Sequence, residues 1–155
     1  MAAVDKSSAT IRTAVLSDID RIAAIEREVM SPAIYPAFFF RQALSIFGDG
    51  FLVAMLNGRP CGYLIIGQHN GDASIAEIYS VAVSSESRGA GLGRALLDAA
   101  FVWAKSRDVK TITLTVSPEN APAIGLYKSI GFREIERDED YYGPGEARYI
   151  LTAVV

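Results

Sequence analysis

The chain has little of what metal, disulfide and membrane chemistry requires. One cysteine, Cys61, in 155 residues rules out an intrachain disulfide and any cysteine-based zinc cluster. One histidine, His69, removes most remaining metal-site options, and no metal is expected. Apolar runs are short: Phe51–Leu56 and Cys61–Ile66 are strand-sized, against the roughly 18 residues of a membrane-spanning helix. Positive charge is not in excess either. Fifteen Lys+Arg against eighteen Asp+Glu leave −3, so no bulk field collects nucleic acid. Internal repeats, low-complexity tracts and linkers are missing. The first ten residues lack the charged region and apolar segment of a signal peptide. The expectation is one cytoplasmic domain over residues 1–155, a monomer or homodimer, with neither nucleic acid nor membrane as partner.

What remains is an ordinary globule, 50% hydrophobic and 21% charged, long enough to bury roughly 70% of the surface it exposes unfolded. Thr10–Val15 reads as a first strand. Ser17-Asp-Ile-Asp20 has the form of a helix cap, followed by Ile22, Ile25 and Val29 on one face. The prolines of Ser31–Pro36 break that helix, and Ala37–Phe47 forms a second. Asn57-Gly58 joins strands Phe51–Leu56 and Pro60–Gln68, and Asn70-Gly71 leads into Ser74–Val83. From Gly91 the period becomes helical, with Leu92, Leu96, Ala99 and Trp103 on one face up to about Arg107. Thr111–Val116 alternates as a strand. Asn120 caps a further helix that Gly131 ends, and Phe132–Arg137 and Arg148–Val154 close the chain as strands. Three hairpin-linked strands in succession exclude a doubly wound parallel sheet and predict a mixed sheet with helices packed on it.

Between a strand and a helix lies Arg88-Gly-Ala-Gly91-Leu-Gly93-Arg94. Helix N-termini offer unpaired N–H groups and a positive dipole end, and glycine lets backbone approach a phosphate closely. Two phosphate motifs fail here: the dinucleotide fingerprint from Gly89 needs glycine where Arg94 stands, and no Gly-Lys-Ser/Thr occurs. Taken alone, the segment is equally a glycine-rich connection without a ligand.

Its surroundings narrow the choice. Val81-Ala-Val83, five residues, Arg88-x-x-Gly91-x-Gly93 and an amphipathic helix together resemble the acetyl-CoA motif of the GNAT superfamily of N-acetyltransferases. Asn120-Ala-Pro-Ala-Ile-Gly-Leu-Tyr127 with Gly131-Phe132 is similar to that family's second signature. Asp140-Tyr-Tyr-Gly-Pro-Gly-Glu-Ala-Arg-Tyr149 resembles a stretch of RimI-like protein N-terminal acetyltransferases, with Glu146 in place of the usual Asp and Arg148 interrupting it. The resemblance implies an α/β (α+β) chain of the GNAT fold: a mixed, mostly antiparallel seven-stranded sheet flanked by about four helices.

It also implies roles. The backbone of Val81, Ala82 and Val83 would hold the pantetheine arm of acetyl-CoA. That of Arg88, Gly89, Ala90, Gly91, Leu92, Gly93 and Arg94 would hold the pyrophosphate, and Asn120 would reach the cofactor arm. Arg88 and Arg94 suit an anion on charge grounds as well. Amine attack on a thioester needs a proton acceptor, oxyanion donors and help for the leaving thiolate. Tyr127 matches the family's general acid; its bland alternative is a core tyrosine. RimI-like relatives carry Glu where this chain has Thr115, whose hydroxyl accepts no proton near neutral pH. Glu77 falls where histone acetyltransferases of the superfamily place their base. By strand alternation it shares a face with Tyr79, Val81 and Val83, and its alternative is a surface glutamate. Tyr35, Tyr141 and Tyr142 are expected to wall the amine site, although Tyr141-Tyr142 reads equally as edge-strand packing. Cys61 reads as a strand-core thiol and His69 as a solvent-facing loop residue.

The leading expectation is acetyl transfer to a protein or peptide N-terminus by direct attack in a ternary complex. The runner-up acceptor is a small amine (polyamine, amino acid or aminoglycoside). A non-catalytic acyl-CoA sensor is the reading from a different class, and Tyr127 and Glu77 argue against it.

Overall fold

A computed structural model describes residues 9–31 and 34–155. The N-terminal segment and two residues of the Ser31–Pro36 break lie outside the described residues. The elements run β1 (Thr10–Thr13), α1 (Ile19–Met30), α2 (Ala37–Phe47), β2 (Phe51–Leu56), β3 (Arg59–His69), β4 (Asp72–Val83), α3 (Leu92–Lys105), β5 (Thr111–Val116), α4 (Ala121–Ile130), β6 (Arg133–Asp138) and β7 (Arg148–Val154). The seven strands form one mixed sheet in the order β1-β2-β3-β4-β5-β7-β6. β1/β2, β2/β3, β5/β7 and β6/β7 pair antiparallel. β4/β5 pair parallel, with Ile75–Glu77 set against Thr111–Thr113. The expected class and element order are those observed.

The described chain divides into two compact units. The first holds the residues up to Gly67 together with Tyr79–Trp103. Its core gathers Ile22 and Ile25 of α1, Phe40 of α2, Phe51 and Val53 of β2, and Tyr63 and Ile65 of β3, all with no more than a trace of exposure. Each such side chain contributes about 1.5–3 kcal/mol by leaving water. α3 buries Leu92, Leu96, Leu97, Ala100 and Trp103. The stripe is therefore turned slightly from the expected one, since Ala99 is only half-buried. Two glycines make close packing possible: a Cβ on Gly50 would lie 2.2 Å from the Ile66 carbonyl, and one on Gly62 3.0 Å from that of Ala82.

The start of α1 differs from the expected Ser17–Asp20 cap. Leu16–Asp18 forms a 3-10 turn, and the buried Asp18 accepts from the Val15 N–H (2.8 Å) and from both Arg12 guanidinium nitrogens (2.7 and 2.9 Å). Burial opposes ionisation of Asp18, but those donors outweigh it and hold the carboxyl below its ordinary value.

The second unit holds Gln68–Ile78 and Ala104–Val155. β5 pairs with β7 from Thr111↔Val154 to Val116↔Tyr149, burying Ile112, Leu114, Leu151 and Ala153 on one face. Asn120 caps α4 by accepting from the Ala123 N–H, and Gly131 ends it at φ 114°, a conformation side chains disfavour. β6 is exposed nearly throughout and bulges between Glu134 and Glu136.

Candidate active site

Strand β4 sets the chemistry by alternation. Ala76, Ile78, Ser80 and Ala82 are buried, while Glu77, Tyr79, Val81 and Val83 lie on the more open face, as a period of two requires. Where β4 ends in the first unit, a tight turn carries the chain into α3. Ser84 and Ser87 close it, with Ser87 N–H donating to the Ser84 carbonyl (3.0 Å) and the two hydroxyls 3.0 Å apart. Glu28 of α1 accepts from the Ser85 N–H (2.9 Å). The Ser85 hydroxyl, which also donates to Glu28, and then this N–H hold its carboxyl below the ordinary value. Gly89 (φ 84°) and Gly91 (φ 78°) both adopt the left-handed backbone, which explains their identity. Ala90 and Leu92 are buried and anchor the turn, whereas Arg88 and Arg94 are exposed on either side. The first turn of a helix leaves its N–H groups without intrahelical acceptors, and in α3 that turn is Leu92-Gly93-Arg94. These are fit donors for a pyrophosphate.

The first unit also holds an aromatic wall. Tyr35 stacks on Phe39 with centroids 4.4 Å apart, and both rings contact Tyr79 of β4 (5.6 and 5.5 Å). Tyr35 is held from behind by Glu26 of α1, which no sequence motif singles out. Glu26 is 1% exposed. One oxygen accepts from the Tyr35 N–H (3.1 Å), and the other from the Tyr63 hydroxyl, which lies 2.7 Å from Ser80 Oγ. Burial, then the Glu26 charge, pushes the Tyr63 phenol well above its ordinary range.

In the second unit Glu77 is partly exposed, and His69 at the end of β3 places Nε2 3.3 Å from its Oε2. His69 faces solvent as expected, but from the end of a strand and beside Glu77, not from a loop. Tyr141 feels the same carboxylate: burial first, then the charge of Glu77, raises its phenol. Tyr142 places its hydroxyl 3.4 Å from Thr115 Oγ1 and lies under the Arg148 guanidinium at 5.0 Å. Asp140 accepts from the Gly145 N–H at 2.9 Å. The Tyr141–Gly145 connection is therefore braced, and Tyr141 and Tyr142 contact each other edge-on (4.7 Å) within it. Arg148, an interruption of the motif, works as a clamp on Tyr142. Tyr127 is 8% exposed on α4 and meets Phe132 edge-on at 5.9 Å. Burial pushes its phenol up to about 12, so it stays protonated through the neutral range. Asn120 is exposed at its cap, and Cys61 is buried and free.

Residues 16–132 match the acetyltransferase (GNAT) family. The chain belongs to that family. As a GNAT protein it is an N-acetyltransferase, as its relatives' names agree. It is 33% identical over 153 residues to an N-alpha-acetyltransferase of Sulfurisphaera tokodaii, covering 92% of this chain and 91% of that one. Among solved structures it resembles Ard1 from Thermoplasma volcanium (TM-score 0.87, 24% identity, 96% and 98% of the two chains). It also resembles the ribosomal-protein-S18-alanine N-acetyltransferase from Escherichia coli (TM-score 0.80, 26% identity, 95% and 94%). The RimI-like resemblance of the GNAT motifs thus extends over nearly the whole chain.

Proposed function

We propose that this GNAT protein transfers the acetyl group of acetyl-CoA to the N-terminal α-amine of a protein or peptide, the whole chain working as one acetyltransferase domain. The observation that carries the cofactor is the turn of Gly89 and Gly91, both at positive φ, leading from β4 into the open first turn of α3 between two exposed arginines. Its amides take the pyrophosphate, the backbone of Val81–Val83 takes the pantetheine arm, and the side chain of Asn120 reaches that arm. Similarity to an N-alpha-acetyltransferase over 92% of the chain supports the acceptor. Tyr35, Tyr141 and Tyr142 line the acceptor side.

In the reaction the amine nitrogen attacks the thioester carbonyl. A C–N bond forms, the C–S bond breaks, and the amine's proton goes to Glu77. A thiol titrates near 8.5 in reference conditions, whereas burial places the Tyr127 phenol at about 12. Tyr127 is thus the weaker acid by roughly three orders of magnitude. Its part is to donate a hydrogen bond to the departing sulfur, the proton itself coming from solvent.

Thermal unfolding tests the cofactor half. Acetyl-CoA at a hundred times its dissociation constant stabilises the fold by about 2.7 kcal/mol. Gly91→Glu abolishes that shift, because it adds a side chain and a negative charge where phosphate sits. No shift with millimolar acetyl-CoA contradicts the reading.

A further inference from the structure

Glu77 does not stand alone on its strand face. The groups that face it are His69 from the end of β3 at 3.3 Å, Tyr141 from the β6–β7 connection, and the neutral Thr113, its register partner on β5. Asp72 at the start of β4 feels the charge of His69 in turn. Of these the imidazole brings a ring nitrogen to 3.3 Å from the carboxylate, and a ring nitrogen that carries hydrogen is a donor. A carboxylate has two oxygens, and a donor on one fixes the orientation of the other.

We propose that His69 is a positioning residue for Glu77. Its Nε2–H holds Oε2 so that Oε1 is left to take the proton of the acceptor amine. This rests on the acetyltransferase reading with Glu77 as proton acceptor. With a proton on Nε2, the imidazole keeps the carboxylate in place. The proton passes from the amine nitrogen to Glu77 Oε1 as the C–N bond forms, and then to water. The role resembles that of a carboxylate orienting a catalytic imidazole, with the two partners exchanged.

Two measurements decide the matter. The first is kcat against pH, at saturating acetyl-CoA and one peptide, for wild type, His69→Gln and His69→Ala. The amine's own titration is common to all three, so differences belong to residue 69. Glutamine also donates through its side chain: His69→Gln retains most of kcat across the profile. His69→Ala, with no donor, loses on the order of tenfold in kcat at every pH, the scale of removing a partner that orients an active group. Superposable profiles for wild type and His69→Ala overturn the proposal. The second reads the pair without turnover, because His69 is the single histidine in the sequence. Its imidazole ¹⁵N shifts place the proton of the neutral ring on Nε2 more completely in wild type than in Glu77→Ala, which keeps only the intrinsic preference of a free imidazole. An unchanged tautomer ratio in Glu77→Ala overturns the proposal. If wild type turns over no amine, the acetyltransferase reading falls and the tautomer still decides whether the pair exists.

Discussion

At the scale of single residues the proposed chemistry turns on a phenol whose protonation is set by where the fold puts it. Burial raises the Tyr127 phenol to about 12, so its sign is unambiguous: the neutral, donating form persists up to that range and is lost only above it. Activity therefore shows no descending limb from Tyr127 below about pH 10. Tyr127→Phe keeps the ring against Phe132 and removes the hydroxyl. Its kcat falls by about 10²-fold, the scale of losing one hydrogen-bond donor to developing negative charge, with acetyl-CoA affinity little changed, as isothermal titration and steady-state kinetics would show. An unaltered kcat, in an assay limited by chemistry, reduces the tyrosine to packing. Tyr127 was singled out by the family resemblance alone. The glycine turn and the Asn120 cap were legible because a tight turn or a cap demands particular residue types at fixed spacing. His69, Glu26 and Arg148 were not. Each acts through a partner distant in sequence or through a ring beside it in space, and nothing in local pattern distinguishes a glutamate buried under a tyrosine from one in water.

At the scale of elements, α1 does more than fill the core. Its buried Glu26 ties the segment entering α2 to β3 through Tyr63 and to β4 through Ser80, and Glu28 ties its last turn to the turn before α3. Glu26→Gln leaves one of the two donors facing an amide N–H₂ instead of an acceptor. That mismatch costs about 1–3 kcal/mol, visible as a lower Tm. It also loosens Tyr35 and the rings stacked on it, so the KM for peptide rises while the dissociation constant of acetyl-CoA holds. Equal loss of both affinities would mean that Glu26 supports the fold in general and not the acceptor side. The elements themselves were readable to within a residue or two. The bounds of α2, β2, β5 and β7 are those the periodicity and turn residues predict. The start of α1 was misread because a Ser-x-x-Asp pattern is satisfied as well by a 3-10 turn in which Asp18 reaches back to Val15 and Arg12. Tertiary pairing with β1 decided between them.

At the scale of the whole molecule, composition already argued against nucleic acid and metal as partners, and the order of strands and helices pointed to the fold that the GNAT match establishes. Among the described residues no helix is long and apolar enough to cross a membrane. What the sequence left open was the acceptor. Thr115, where RimI-like relatives have a carboxylate, pulled toward a small amine. Under the proposed assignment, Glu77 beside His69 offers a different carboxylate in the same unit. The most direct measurement offers the enzyme acetyl-CoA with a mixture of peptides bearing free N-termini, the same peptides blocked at the N-terminus but carrying lysine, and a set of polyamines, amino acids and aminoglycosides. Mass spectrometry then locates the acetyl group. The account predicts one acetyl group on the α-amine of free peptides, with an equivalent of CoA released. Acetyl groups confined to small amines or lysine side chains, or no transfer at all, would contradict it.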